Sequence, residues 1–410
     1  MPFRARSDAD HQPPHLSTAR AAYMTRILTT VFFTFICYMT VGIPLAVLPV
    51  YVHDDLGFGT VLAGLVISAQ YAATLLTRPK AGYMCDHVGP KQAVFYGLIA
   101  CGGSGILMMI AALLKGQPDV SYGVLLAGRL TLGFGESLVG TGAITWGIGQ
   151  MGPRHTARII SWNGIATYGA LAIGAPLGVK LVEHWGFASI GASILVLALC
   201  GILLSRFKAA TPIMGGEQLE FIQVFGRVFP HGMSLALGAS GFGTIATFIT
   251  LFYASRHWAD AAWCLTIFGV SFIGARLAFA GTINRYGGHR VAIVSFTVEI
   301  VGLILLWLAA TPGMAQLGAA LTGLGFSLVF PALAVEAVSL VPAPNRGAAL
   351  GAYSVFADLS LGATGPIAGF IIGSFGYAAI YFSAAIGVAI ALGLAVFLHR
   401  RNHAAGTTAP

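Results

Sequence analysis

Charged side chains inside the long apolar runs of this sequence are the residues most able to do chemistry. Arg129 and Glu136 stand seven positions apart in one run, and Asp358 stands in another. On a helix that spacing puts Arg129 and Glu136 on one face, about 10 Å apart along the axis, too far for a firm direct ion pair. Carboxylates and a guanidinium in apolar surroundings are functional candidates by default, so the three predict proton or substrate coupling.

The elements that position these residues are predicted to be membrane-spanning helices. Charged residues make up 9% of the 410 positions and hydrophobic residues 57%, whereas a soluble globular chain carries roughly 25% charged residues. A helix needs about 20 apolar residues to cross a bilayer. The sequence therefore predicts an all-α polytopic membrane protein with twelve spans, at 27–52, 60–82, 92–114, 121–150, 158–182, 188–206, 228–254, 261–282, 291–310, 315–341, 348–373 and 377–399.

Composition and motifs disfavour several other classes of protein. The net charge is +8, but the basic residues stand singly or in twos and threes instead of forming the patch of a nucleic-acid binder. The sequence holds neither a phosphate-binding Gly-x-x-x-x-Gly-Lys-Ser/Thr loop nor a Gly-x-Ser-x-Gly nucleophile elbow. It thus predicts no enzyme, no metal, no cofactor and no nucleic-acid partner. A membrane-embedded receptor or enzyme is the alternative from a different class.

The distribution of Lys and Arg predicts the orientation in the membrane. With the N-terminus in the cytoplasm, eighteen of the 22 Lys and Arg residues fall in cytoplasmic segments, and Arg129 lies within a span. The extracytoplasmic segments hold Lys115, Lys180 and Arg256. Because cytoplasmic loops carry the excess of basic residues, we expect a multi-pass membrane protein with both termini in the cytoplasm.

The longest internal polar stretch divides the chain into two halves of six spans. The predicted order is a disordered cytoplasmic tail at 1–22, an N-terminal six-helix bundle at 23–206, a cytoplasmic linker at 207–227, a C-terminal six-helix bundle at 228–399 and a cytoplasmic tail at 400–410.

An internal repeat supports this division. Arg78, Asp86 and Gly89 recur 198 positions later as Arg276, Asn284 and Gly287. Two further matches have an offset of 190: Gly133, Gly135 and Ser137 with Gly323, Gly325 and Ser327, and Ala175-Pro176 with Gly365-Pro366. Three ordered matches at nearly one offset indicate duplicated halves, the architecture from which alternating-access transporters are built.

The loop between predicted spans two and three reads Gly82-Tyr-Met-Cys-Asp86-His-Val-Gly89-Pro-Lys91. It resembles a loop signature of the major facilitator superfamily, which lies in the cytoplasm and latches the two halves in the outward-facing state. A helix N-terminus favours an anion, and the start of span eleven near Gly347 is the predicted partner of the acid. A generic charged turn is the alternative. The resemblance implies a gating loop formed by Arg78, Gly82, Asp86, Gly89 and Lys91.

The second copy of this loop, from Gly281 to Arg290, has Asn284 in place of the acid and is predicted to be more structural than switching. Glu336, in the inner part of span ten, is predicted to pair with Arg285 or Arg290. The residues assigned to this second-repeat loop are Arg276, Gly281, Asn284, Gly287, Arg290 and Glu336.

Predicted span four contains Arg129-Leu-Thr-Leu-Gly133-Phe-Gly135-Glu136, which resembles another signature of the family, an arginine followed by closely spaced glycines. In proton-coupled members such an arginine takes part in coupling, so the resemblance implies that role for Arg129. A structural arginine bonded to neighbouring carbonyls is the alternative. Coupling and structural roles both stay open for Asp358, and Glu299 is predicted to be structural.

Spans five and eleven carry short Gly-Pro segments that are similar to the signature commonest in antiporters. Small residues allow close helix packing, and proline bends a span. Four further segments, beginning at Gly42, Gly64, Ile160 and Ala246, resemble the bacterial YhhS-type subfamily, often described as sugar-efflux-like. This resemblance implies a location in a bacterial inner membrane. The residues assigned to helix packing and bending are Gly133, Gly135, Pro176, Gly178, Gly365, Pro366 and Gly369.

Together these features predict two pseudo-symmetric six-helix bundles that rock about a central cavity. The leading hypothesis is a monomeric, proton-coupled exporter of a small organic molecule, driven by the proton gradient across the bilayer. The alternative is a proton symporter or facilitator that imports a small solute. By fold analogy the cavity is lined by spans one, four, seven and ten, with the candidates Tyr38, Thr40, Thr141, Thr145, Ser240, Thr244, Thr247 and Ser327.

Overall fold

The computed structural model describes residues 14–152, 156–211, 221–279, 281–341 and 346–407. These residues form twelve long helices: α1 (Pro14–Leu45), α2 (Thr60–His87), α3 (Pro90–Leu113), α4 (Pro118–Met151), α5 (Thr156–Trp185), α6 (Ala188–Arg206), α7 (Phe221–Ser255), α8 (Ala262–Phe279), α9 (Gly288–Trp307), α10 (Pro312–Ser339), α11 (Arg346–Phe375) and α12 (Ala379–Thr407). Short helical turns at Leu48–Val50 and Tyr51–Asp55 follow α1, and another at Thr282–Tyr286 precedes α9.

Eleven helices in the described part of the chain are long and apolar enough to cross a membrane. The twelfth, α4, is 34 residues long, carries Arg129 and Glu136, and packs against α2 and α3. The side chains of Arg129 and Glu136 are buried and therefore shielded from lipid by neighbouring helices. Because the number of spans is even, Pro14 and Thr407 lie on the same side of the membrane. We call this side the terminal side and the other side of the membrane the opposite side.

Helix α1 begins earlier than the sequence analysis predicts. It starts at Pro14, so residues 14–22 of the predicted disordered tail are helical. Proline is accepted in the first turn of a helix, and the nine residues from Leu16 to Met24 include three alanines and no glycine or proline. Residues 1–13, 408–410 and 212–220 of the predicted linker lie outside the described residues.

The two halves meet along two helix pairs, α2 with α11 and α5 with α8. On the opposite side, Gly64 and Gly365 touch so closely that a Cβ atom on either would overlap the carbonyl of the other. Nearby, the Thr60 hydroxyl donates to the Gly369 carbonyl at 3.0 Å. Towards the terminal side, no described atom lies within 4 Å of a Cβ position built on Gly82 or Gly351. The α2–α11 pair is therefore closed on the opposite side.

Glycines also set the packing within each half. A Cβ on Gly133 would meet the Gln70 carbonyl of α2, and one on Gly135 would meet the Gly97 carbonyl of α3. Gly178 of α5 stands against the Ile43 carbonyl of α1 in the same way. Pro176 and Pro366 lie inside α5 and α11, where each removes one helical hydrogen bond.

Replacing Gly365 by valine should destabilise the closed α2–α11 contact, because the new side chain overlaps the Gly64 carbonyl and the Ser68 hydroxyl. Overpacking of this kind costs about 1–3 kcal/mol, so the melting temperature of the purified protein should fall. Gly373→Val is the matched control, since no described atom lies within 4 Å of the Cβ position there. Equal melting temperatures for the two variants would contradict the packing described.

The orientation predicted from Lys and Arg is tested by C-terminal fusions. A reporter that fluoresces only in the cytoplasm should be bright when fused after residue 410. A phosphatase that is active only outside the cytoplasm should be inactive at the same position. The reverse pair of readouts would place both termini outside.

Candidate transport site

An ion pair joins the two halves at the α2–α11 contact. The Arg78 guanidinium binds the Asp358 carboxylate with both arms: Nε contacts Oδ2, and Nη2 donates to Oδ1 at 3.0 Å. Asp358 is buried and the Arg78 side chain is 27% exposed. Among the ion pairs of the described residues, this is the one that links the N-terminal half to the C-terminal half. The sequence analysis singled out both residues but did not pair them.

Glu136 lies in the interior of the N-terminal half, facing α2. Gln70 Nε2 donates to Glu136 Oε2 at 2.7 Å, and the Thr74 hydroxyl lies 3.1 Å from the same oxygen. The residue is 3% exposed. Its carboxyl group is therefore held by neutral partners instead of a cation, an arrangement in which both the ionised and the protonated forms find hydrogen bonds.

Arg129 is completely buried in α4. None of its three guanidinium nitrogens has a hydrogen-bond partner among the described residues. Arg129 and Glu136 do not form an ion pair in the described structure, in agreement with their separation of two helical turns. The alternative of a structural arginine bonded to neighbouring carbonyls requires hydrogen bonds that this geometry does not provide.

The predicted gating loop is described in part. Gly89 has a φ of +112°, a region that favours glycine, and it precedes α3. Lys91 Nζ donates to the Lys208 carbonyl at 2.7 Å. The side chain of Asp86 and the surroundings of Gly347 lie outside the described residues, so the predicted latch between them stays a prediction.

The first residues of the predicted linker are anchored to the N-terminal half. Lys208 Nζ donates to the hydroxyls of Thr29 and Thr30 and lies 5.4 Å from the ring centroid of Trp146. Trp146 Nε1 in turn donates to the Ala209 carbonyl at 2.9 Å. Burial lowers the pKa of Lys208 to about 8. This segment therefore closes part of the terminal end between α1 and α4.

Arg276 occupies the position in α8 that the 198-residue repeat assigns to Arg78. Its Nη2 donates to the Ser327 carbonyl at 2.6 Å, and its guanidinium lies 5.0 Å from the Phe272 ring centroid. The 190-residue repeat maps Asp358 onto Tyr168 of α5. The α2–α11 contact thus holds an ion pair where the pseudo-symmetric α5–α8 contact holds an arginine and a tyrosine.

Tyr168 is the centre of an aromatic cluster between the halves that the sequence analysis missed. Its ring stacks on Phe272 at 3.8 Å and meets Phe242 at 5.4 Å and Phe326 at 6.3 Å, centroid to centroid. Three helices of the C-terminal half, α7, α8 and α10, therefore converge on one side chain of the N-terminal half. The offset of 190 from Asp358 is the signal in the sequence that points to Tyr168.

The predicted pairing of Glu336 with Arg285 or Arg290 is wrong. Glu336 Oε1 accepts from the backbone nitrogens of Gly288 at 2.8 Å and His289 at 3.3 Å, and Oε2 lies 3.1 Å from His289 Nδ1. These nitrogens form the start of α9, where a carboxylate satisfies unpaired N–H groups and the helix dipole. Gly287 has a φ of +85° and ends the preceding turn. The remaining loop residues are exposed: Gly281, Asn284 and Arg290.

Other predicted polar residues occupy several environments. Ser240 and Thr244 line a cavity of about 320 Å³ between α7, α11 and α12, on the outer side of α7 and not between the halves. The prediction that they line the central cavity is therefore wrong, because these positions of α7 face α11 and α12. Glu299 is fully buried, and neither of its carboxyl oxygens has a hydrogen-bond partner among the described residues.

The fold and this site define a membrane transporter built from two six-helix halves with buried charges at and beside their contact. The chain matches the family model of the Major Facilitator Superfamily over residues 30–261 and 232–410. The protein belongs to the major facilitator superfamily, whose members are secondary transporters.

Relatives of similar sequence agree with this assignment. The chain is 59% identical over 394 residues to an MFS-type transporter of Pseudomonas aeruginosa (strain UCBPP-PA14), covering 96% of this chain and 98% of the relative. It is 56% identical over 385 residues to one of Burkholderia mallei (strain SAVP1), covering 93% and 95%.

Two solved structures share the fold at low sequence identity. The human organic anion transporter MFSD10 (TETRAN) has a TM-score of 0.69 at 16% identity, covering 94% of this chain and 100% of that chain. The fucose:proton symporter FucP of E. coli has a TM-score of 0.64 at 15% identity, covering 92% and 98%. At these identities the likeness concerns the fold.

Proposed function

We propose that the protein exports a small organic molecule from the cytoplasm in exchange for protons, by alternating access of its two halves. The observation that carries this proposal is the Arg78–Asp358 ion pair, which ties α2 to α11 across the contact between the halves. A carboxylate that is ionised in one conformation and protonated in another links proton movement to the relative position of the helices.

The proposed cycle uses three buried charged residues. Asp358 is bound to Arg78 when ionised, and protonation removes that attraction, so α2 and α11 can separate at this level. The second carboxyl group that takes up a proton is that of Glu136 in the N-terminal half, which is hydrogen-bonded to Gln70 and Thr74. Arg129 supplies an unpaired cation in the same bundle. It is fully buried in the conformation described, so in this cycle it meets an anionic or polar group of the substrate only after the helices move.

The Gly-Pro segment around Gly365 and Pro366 supports export over import, because it resembles the signature commonest in antiporters. The YhhS-type resemblance supports the same direction. Import by proton symport is the second candidate, since the solved structure of a fucose:proton symporter shares the fold. Both directions use the same charged residues.

A comparison of released metabolites tests the proposal. Cells that overexpress the wild-type protein should accumulate one class of small organic solute in the medium. Cells that express Arg129→Ala at equal membrane abundance should not. A solute that is depleted from the medium by wild-type cells would favour import, and identical media in the two strains would contradict transport by this site.

A further inference from the structure

Three ionisable side chains form a buried hydrogen-bonded chain in the C-terminal half, near the terminal side. Glu336 Oε2 of α10 lies 3.1 Å from His289 Nδ1 of α9, and His289 Nε2 lies 3.2 Å from His231 Nε2 of α7. Both histidines are 4% exposed. The cluster contains none of the residues assigned to coupling above, so its role is a separate question.

The geometry determines where the hydrogens lie. Because the Glu336 carboxylate faces His289 Nδ1 and two backbone N–H groups, Nδ1 of His289 carries a hydrogen and donates it. A neutral His289 then has a bare Nε2, which accepts the hydrogen on Nε2 of His231. The remaining nitrogen, Nδ1 of His231, is bare and has no hydrogen-bond partner among the described residues.

We infer that His231, His289 and Glu336 form a proton-binding site that takes up its proton at Nδ1 of His231. Among the nitrogens of the two imidazole rings, only this one is vacant for a further proton, since both links of the chain already hold a hydrogen. The Glu336 carboxylate balances the added charge through His289. The new N–H, however, is buried without an acceptor, which is costly. Proton binding therefore disfavours the conformation described above.

The surrounding helices add little further charge to this site. The His399 ring of α12 lies 6.1 Å from the His289 ring, so one more imidazole stands at the edge of the cluster. From α11 the side chain against Gly232, next to His231, is the apolar ring of Phe356. The arginines of these elements have other surroundings: Arg227 donates to the Leu340 carbonyl, Arg285 lies over Tyr286, and Arg290 is exposed.

A short path of contacts connects the site to the ion pair between the halves. Gly232 and Phe356 are in close contact, and Phe356 stands two residues before Asp358 on α11. A movement of α7 that gives His231 Nδ1 access to water or an acceptor therefore shifts α11 at the level of Asp358. Proton binding at the site therefore favours the alternative conformation, in which the terminal ends of α2 and α11 approach each other.

Distance measurements between spin labels on α2 and α11 test this inference without a substrate. Labels at Tyr83 and Gly351, both exposed, report the separation on the terminal side; Cys200→Ser removes the one exposed native thiol among the described residues. As the pH falls from about 8 to about 4, a range that extends below the usual one for histidine because protonating the buried His231 is costly, the distance should shorten in the wild type. His231→Gln should abolish this change.

His184→Gln is the matched control, because it makes the same substitution at an exposed histidine and should keep the change. Glu336→Gln should move the midpoint to lower pH by about one unit or more, since the carboxylate no longer balances the proton. A wild-type distance that is independent of pH would overturn the inference. So would an undiminished change in His231→Gln, or an unmoved midpoint in Glu336→Gln. Transport activity enters none of these readouts, so failure here leaves the proposed function untouched.

Discussion

Replacing Arg129 by alanine is expected to reduce transport to near background while the protein still inserts and folds. All three guanidinium nitrogens are buried without hydrogen-bond partners among the described residues. An arginine at the centre of a span costs about 2.5–3.5 kcal/mol on insertion scales. Removing an unpaired cation should therefore leave the melting temperature unchanged or raise it, whereas removing a structural arginine would lower it.

The conservative variant Arg129→Lys separates charge from geometry. Lysine keeps the positive charge but loses the planar fork of donors. Hydrogen bonds to charged groups contribute about 1.5–3 kcal/mol. Because lysine cannot replace the hydrogen bonds of the guanidinium, we expect Arg129→Lys to transport roughly tenfold to a hundredfold more slowly than the wild type. Initial rates at matched membrane abundance give the comparison. Wild-type transport by Arg129→Ala would remove this residue from the coupling machinery, and misfolding of that variant would favour the structural alternative.

Asp358→Asn is expected to break the link between the halves and to impair transport strongly. Removing one partner of a buried ion pair costs about 3–5 kcal/mol, while exposed pairs contribute about 1 kcal/mol or less. The Arg78 side chain is 27% exposed, so the loss should fall between these limits. The melting temperature in detergent and the initial transport rate are the two measurements.

A charge exchange provides the control for this pair. Arg78→Asp and Asp358→Arg should each impair transport when introduced alone. The double variant should recover part of the stability and part of the rate, because the attraction across the α2–α11 contact is restored. Losses that simply add in the double variant would show that the two side chains do not act as a pair.

The twelve helices and their duplication could be predicted because each leaves a pattern that can be recognised in a single sequence. Apolar runs of about 20 residues mark the spans, and the offsets of 198 and 190 positions mark the repeat. The same offsets align Arg78 with Arg276 and Asp358 with Tyr168, so the pseudo-symmetry of the two helix contacts was present in the sequence. The early start of α1 was missed because polar residues hid a stretch with good helix propensity.

The partners of individual charged residues were much harder to predict. Arg78 and Asp358 lie 280 positions apart, and no pattern in one sequence reports which helices of different halves touch. Glu336 was assigned to an arginine on grounds of charge. In the structure Glu336 binds two backbone N–H groups and the His289 side chain at the start of α9. Backbone donors have no signature in the sequence, so this contact could not be predicted. The His231–His289 contact likewise depends on the packing of α7 against α9.

Proton movement in proteoliposomes tests the proposal of proton-coupled export most directly. The purified protein is reconstituted with a pH-sensitive dye inside the vesicles, and an outward gradient is imposed of the solute identified by the release comparison. Exchange predicts that the interior acidifies as the solute leaves, and that Asp358→Asn and Glu136→Gln lose this signal. Alkalinisation of the interior would show symport, and solute efflux without any proton movement would contradict proton coupling.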